Sequence, residues 1–224
     1  MRSLSQIFDP DNSEKKNLSS FDGIVIMVYL YKRCTNHIKS SLNQKSHNFW
    51  ETHYGINKAI NLCRTSLLVE HLNGNSSNDP VSLALRMSMD TVEIMLHDHA
   101  LLKVQEDELP SVLATDAISK FTLAVTDIVD SLHMGQRLKG KKLESFQQLS
   151  NFHAWPITTA IQICCRMLEL GSSNVLPYVQ AIYLLSSSTT TKFLIDQQLI
   201  SPGILEKAND LAAAAEQSTM TTQT

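Results

Sequence analysis

The segment Gly135-Gln136-Arg137-Leu138-Lys139-Gly140-Lys141-Lys142 is the chain's nearest approach to a recognised chemical motif. It comes close to the phosphate-loop pattern G-x-x-x-x-G-K-[ST]. In that loop, backbone N–H groups ring the phosphates, the Lys adds charge and a hydroxyl binds magnesium. Two features break the match. Lys142 stands where the hydroxyl belongs, and the preceding segment reads as a helix where the loop requires a strand. The stretch is expected to be a helix end followed by a solvated basic loop. Its charges, Arg137, Lys139, Lys141 and Lys142, also fit a nuclear localisation patch.

His97-Asp98-His99 has the residue types of a metal site. On a helix, however, positions i and i+2 point about 200° apart, so the two imidazoles do not converge on one ion. The expectation is one solvent-facing histidine and one packed, hydrogen-bonded partner. Cys164 and Cys165 are adjacent and diverge on a helix, so they make no C-x-x-C redox pair. Cys164 falls on an apolar stripe and reads as core, as do Cys34 and Cys63. No G-x-S-x-G nucleophile elbow and no D-D-x-x-D metal motif occur. The acidic run Glu106-Asp107-Glu108 reads as solvated charge. Met87, Met89 and Met95 could line a ligand cavity, because methionine adapts to irregular shapes, but the aliphatic residues around them favour plain core. No catalytic, cofactor-binding or metal-ligating role is assigned to any residue, and the chain is not expected to be an enzyme.

The elements that carry these residues follow from composition and periodicity. The sequence has 224 residues, 43% hydrophobic and 18% charged, enough for one sizeable core. Seven Gly and six Pro are few for an all-β chain of this length, which needs many turns, so long helices are expected. The net charge of −3 lacks the basic excess of a free-standing nucleic-acid binder. Four scattered cysteines make no disulfide framework and suit a reducing compartment. The first twenty residues are polar and carry no secretory signal. The longest apolar stretch, Ile24 to Tyr31, is far short of the roughly 20 residues of a membrane span.

Residues 1–18 are expected to be disordered, 19–216 to form one helical domain and 217–224 to be a disordered tail. A helix opening at Ser19 or Ser20 carries Phe21, Ile24, Val28, Tyr31, Cys34 and Ile38 on one apolar face. A second, from about Asn48 to Leu72, turns Trp50, Tyr54, Ile60, Cys63 and Leu67 inward, and 73–79 is a loop. Asp79 and Pro80 cap and start a third, running to Val104, which is apolar nearly all round and therefore central. Ser111 caps a fourth, with Phe121, Val125, Ile128 and Leu132 inward, and Gly135 can end it. A short segment with Leu143, Phe146 and Leu149 follows. A fifth helix begins near Trp155-Pro156 and ends at Gly171. A sixth starts at Pro177, with a break expected between Ser186 and Thr191. Ser201-Pro202 opens the last. The fold class is all-α: about six or seven helices packed around one core.

Four ordered segments carry a family resemblance. The opening helix FDGIVIMVYLYKRCTNHI is similar to the family's apolar helix ending in a basic-aromatic turn. FWETHYGINKAINLCRTSL ends in Cys63-Arg64-Thr65-Ser66-Leu67, where the family has a Trp-Arg-x-Ser-Leu-Pro-like ending. LRMSMDTVEIMLHDHALL keeps Leu96-His97 but has Asp98-His99 where the family has Arg-Pro. DAISKFTLAVTDIVDSL precedes the aromatic-Pro helix FHAWPITTAIQICCRML. Across residues 21 to about 195 this series resembles the C-terminal half of the helical regulatory region, or middle homology region, of fungal binuclear zinc-cluster transcription factors.

The family's DNA-binding module packs six cysteines around two zinc ions in one short segment, and four scattered cysteines do not build it. The family's earlier signature, a basic pair before paired tryptophans and an Asp-Arg, is also missing ahead of residue 21. The resemblance therefore implies a transcriptional regulator of a fungal pathway gene set, nuclear, truncated or a fragment, and making no direct nucleic-acid contact itself. Its implied partners are other transcription-regulatory proteins. A small-molecule effector and a homodimer both stay open. The alternatives are a DNA-independent helical adaptor with an exposed apolar groove, or a helical enzyme with a buried ionisable cluster.

Overall fold

The computed structural model describes residues 20–41, 46–65, 80–138, 140–171 and 175–221. Among these the protein is all-α, a single domain with no strand. Its helices are α1 (Ser20–Ser41), α2 (Ser46–Arg64), α3 (Pro80–Glu106), α4 (Ser111–Gln136), α5 (Lys141–Gln148), α6 (Ser150–Glu169), α7 (Leu176–Ser187), α8 (Thr189–Asp196) and α9 (Pro202–Thr221). The expected six or seven helices become nine among the described residues for two reasons. The short segment after the basic stretch is itself helical. The expected break then splits the sixth helix at Ser188, whose extended backbone (φ −59°, ψ 131°) separates α7 from α8. There the Ser188 hydroxyl accepts the Thr191 N–H at 3.4 Å, an N-cap that starts α8.

α3 is the axle. Its Leu83, Met87, Ile94 and Leu101 enter a core of thirty buried residues shared with α4, α6, α7, α8 and α9. Its Met89, Val92 and Leu96 enter a second core of ten, shared with α1 and α2. A helix serving two cores must be apolar on several faces, and this explains its composition. α3 begins at Pro80 as expected; Asp79, the loop 73–79, Leu67 and residues 1–18 lie outside the described residues.

Other boundaries differ from expectation. α4 starts at Ser111, but its N-cap is Pro110, and no side chain caps it. Gly135 is buried inside α4, which closes instead at Arg137. α6 starts at Ser150, not at Trp155-Pro156, so Pro156 lies buried in its second turn. Gly171 does follow the end of α6, with φ +65°. Tyr54 is half exposed rather than inward, whereas Ile60 and Cys63 are fully buried. No helix among the described residues is long and apolar enough to cross a membrane.

Candidate functional site

Two helices leave a gap that the rest of the bundle does not fill. α1 presents Ile24, Met27, Val28 and Tyr31 to it, and α3 presents Val81, Ala84, Leu85 and Ser88. Both sets follow i, i+3, i+4, i+7, the stripe that lets two helices face each other. Gly23 lets them approach: a Cβ there would sit 2.7 Å from Leu85 Cδ1. Leu149, Asn151, Phe152 and Trp155, at the start of α6, form the third wall of a groove of about 370 Å³. Trp155 meets Tyr31 edge-on, with ring centroids 5.0 Å apart at 77°. Among the described residues, no charged one lines the groove. Ser88 donates its hydroxyl proton to the Ala84 carbonyl at 2.8 Å and so spends it locally.

The stripe on α1 was legible in the sequence, but it implied core. Val28 and Tyr31 instead stay 62% and 41% exposed, because α1 carries more apolar surface than α3 covers. Of the three methionines weighed as cavity lining, Met87 and Met89 are fully buried core. Met95 lines a second cavity, of about 410 Å³, on the other side of Trp155. That cavity mixes apolar and polar side chains, with Ile94, Trp155 and Ile163 beside the polar ones. It holds Thr158, Thr159, Gln162 and an ion pair in which Arg166 Nη1 donates to Asp98 Oδ2 at 2.8 Å. Burial holds the Arg166 guanidinium below its ordinary pKa.

The histidines do converge, though through tertiary contacts rather than through their spacing. His97 meets His53 of α2 at 5.2 Å between centroids, and His99 meets His37 of α1 at 6.2 Å. Phe49 packs between them, 4.6 Å from His37 and 5.6 Å from His99. The expected solvent-facing histidine is absent from the pair: His97 is 1% exposed and His99 is half-buried. The expected hydrogen bond also fails at one nitrogen, since His97 Nε2 is buried without a partner among the described residues. Burial lowers His37 and His97 to about 4 and His53 to about 3, with neighbouring cations and histidines adding to the shift. These rings are neutral packing partners at ordinary pH. Among the described residues, no group of three or more His, Cys, Asp or Glu is arranged to hold a metal ion.

A buried ionic cluster joins α2 to α3. Arg64 Nη2 donates to Asp90 Oδ1 at 2.5 Å and to Glu93 Oε2 at 2.6 Å. Burial lifts the Asp90 carboxyl to about 8 despite the pull of Arg64. The sequence reading missed this cluster. Its signal was available: two acids three residues apart inside a helix apolar on every face require a cation from elsewhere. Neither this cluster nor the four converging histidines line the groove or the second cavity.

The remaining sequence candidates resolve as structure. The phosphate-loop look-alike is the end of α4, a turn with Gly140 at φ +57°, and the start of α5. Helix precedes it, and Lys141 already belongs to α5. Arg137, Lys141 and Lys142 are exposed, and Lys139 lies outside the described residues. Cys34, Cys63, Cys164 and Cys165 are free and buried. Burial pushes the Cys34 thiol up to about 12 and Cys63 to about 11. The acidic run is more than solvated charge: Lys103, 7% exposed, pairs with Glu106 at 3.1 Å and Asp107 at 2.9 Å.

No family model and no solved structure matches the chain. Two curated relatives do. The chain is 28% identical over 159 residues to the depudecin biosynthesis cluster-specific transcription activator of Fusarium langsethiae, and 29% identical over 157 residues to the protein of the same description from Alternaria brassicicola. These alignments cover 70% and 69% of the chain but 25% and 24% of the relatives. The chain thus spans about a quarter of the length of the curated relatives it matches, and it is similar over that span to fungal biosynthesis-cluster transcription activators.

Proposed function

We propose that this chain is a regulatory module of a fungal pathway-specific transcriptional regulator of the binuclear zinc-cluster type, matching the C-terminal half of its middle homology region. The observation that carries the reading is the similarity, over more than two thirds of the chain, to two activators each dedicated to one biosynthetic gene cluster. The all-α architecture supports it. So does the way the perturbed ionisable groups are used: Arg64, Asp90, Glu93 and the converging histidines are packed between helices and line neither the groove nor the second cavity. That arrangement disfavours an enzyme. The module works in the nucleus, contacts other transcription-regulatory proteins and touches no nucleic acid itself. Its net charge of −3 fits that last assignment.

The test is an in-frame removal of codons 20–221 followed by transcript profiling. The expected outcome is altered expression of one co-regulated set of biosynthetic genes. Unchanged transcripts under conditions where the protein is present would overturn the reading.

A further inference from the structure

We propose that the groove between α1, α3 and the start of α6 binds an uncharged, predominantly apolar small molecule that carries a hydrogen-bonding group. Size argues for a small molecule. The groove's 370 Å³ falls within the roughly 300–1,000 Å³ of small-ligand sites and is far larger than the voids of a packed interior. Twelve residues line it, whereas a standard protein interface engages about 20–30 a side. Chemistry argues for an uncharged ligand. Among the described residues no lining side chain carries charge, so an ion there would lose its hydration without compensation from them.

Two aromatic walls, Tyr31 and Trp155, supply flat contact area. Asn151, Tyr31 and Trp155 are the lining residues whose side-chain polar groups are suited to orient such a ligand. The second cavity shares Trp155 with the groove, and the charges on its lining, Asp98 and Arg166, are paired with each other. As an effector site the groove rests on the regulatory reading above. Binding itself is measured on the purified chain, so either reading can fail alone.

The experiment titrates the purified full chain with Nile red, a neutral solvatochromic dye, and in parallel with the anionic probe 1-anilinonaphthalene-8-sulfonate. One saturable Nile red site with blue-shifted emission is expected, and the anion should bind about tenfold more weakly or worse. Val28→Arg and Phe152→Glu place a charge at the mouth from opposite walls, at positions 62% and 48% exposed. Each should weaken dye binding about tenfold while helicity and Tm stay unchanged. Non-saturable binding, equal affinity for the two probes, or unchanged affinity in both variants would overturn the proposal. A gain in dye affinity on removing residues 1–18 would also overturn it, by identifying the chain's own N-terminal segment as the occupant.

Discussion

Arg64 holds two acids that the fold would otherwise strand. Asp90 and Glu93 are 1% and 7% exposed, and one guanidinium nitrogen reaches both. Removing one partner of a buried pair costs more than the pair contributes, because the remaining charge stays desolvated. Arg64→Ala should therefore lower stability by roughly 2–4 kcal/mol, the quarter exposure of Arg64 keeping it below the extreme cases. Adding Glu93→Gln should return part of that loss, since it removes the buried carboxylate that the substitution leaves without its cation. Urea unfolding of the single and double variants measures both, and equal losses in the two would mean the contact is steric rather than electrostatic. The sequence reading used Arg64 only as part of a resemblance, Cys63-Arg64-Thr65-Ser66-Leu67. It did not pair Arg64 with α3, because nothing local links residues 26 and 29 positions apart.

The seam where α1, α2 and α3 meet is built on neutral histidines. His37, His53, His97 and His99 all have pKa values lowered chiefly by burial, and His153 on α6 behaves likewise. The native state then binds fewer protons than the unfolded chain below the ordinary value of 6.5, down to about 4 for His37, His97 and His153 and about 3 for His53. Their contribution to stability is complete above about pH 6.5 and is lost as pH falls toward 4. Asp90 works the other way: its value of about 8 adds stability below its ordinary 3.8 that fades as pH rises through 8. Five histidines against one carboxyl decide the sign. Tm should fall by several degrees from about pH 7 to about pH 5. His53→Phe, which keeps a ring among Phe49, Trp50 and Tyr54, should flatten that slope.

Helix punctuation was more legible at this scale than histidine contacts were. Gly171 was expected at the end of α6, and its φ of +65° with open space around it means only backbone strain opposes a side chain. Gly171→Ala should cost about 1 kcal/mol by thermal unfolding. Pro156 misled because proline ordinarily marks a first turn, and here the helix extends a turn and a half upstream to reach Leu149 and Phe152 against the groove.

At the scale of the whole molecule, the two cores have unequal weight. All-α architecture was legible because helical periodicity and scarce glycine and proline are local properties; the partition into two cores was not, because it depends on which face of α3 each neighbour takes. Among the described residues, the larger core joins α3 to five helices through thirty buried residues, whereas α1 and α2 share ten with α3. Local opening energy follows buried apolar contact, so the α1–α2 pair is the less stable unit. Hydrogen exchange by mass spectrometry should show amides of α1 and α2 exchanging first, while α3, still gripped by α4 and α6, exchanges with the larger core. Arg64→Ala should widen this gap, since the hydrogen-bonded ion pairs of Arg64 tie α2 to α3 and, among the described residues, to no helix of the larger core besides it. Uniform exchange across all helices, shifted equally by the substitution, would instead mean the two cores open as one cooperative unit. The groove lies on the boundary between the two units, with α1 as one wall and α3 and α6 as the others. A ligand bound there would bridge them and slow exchange in α1 and α2 selectively, by an amount set by its concentration relative to its Kd.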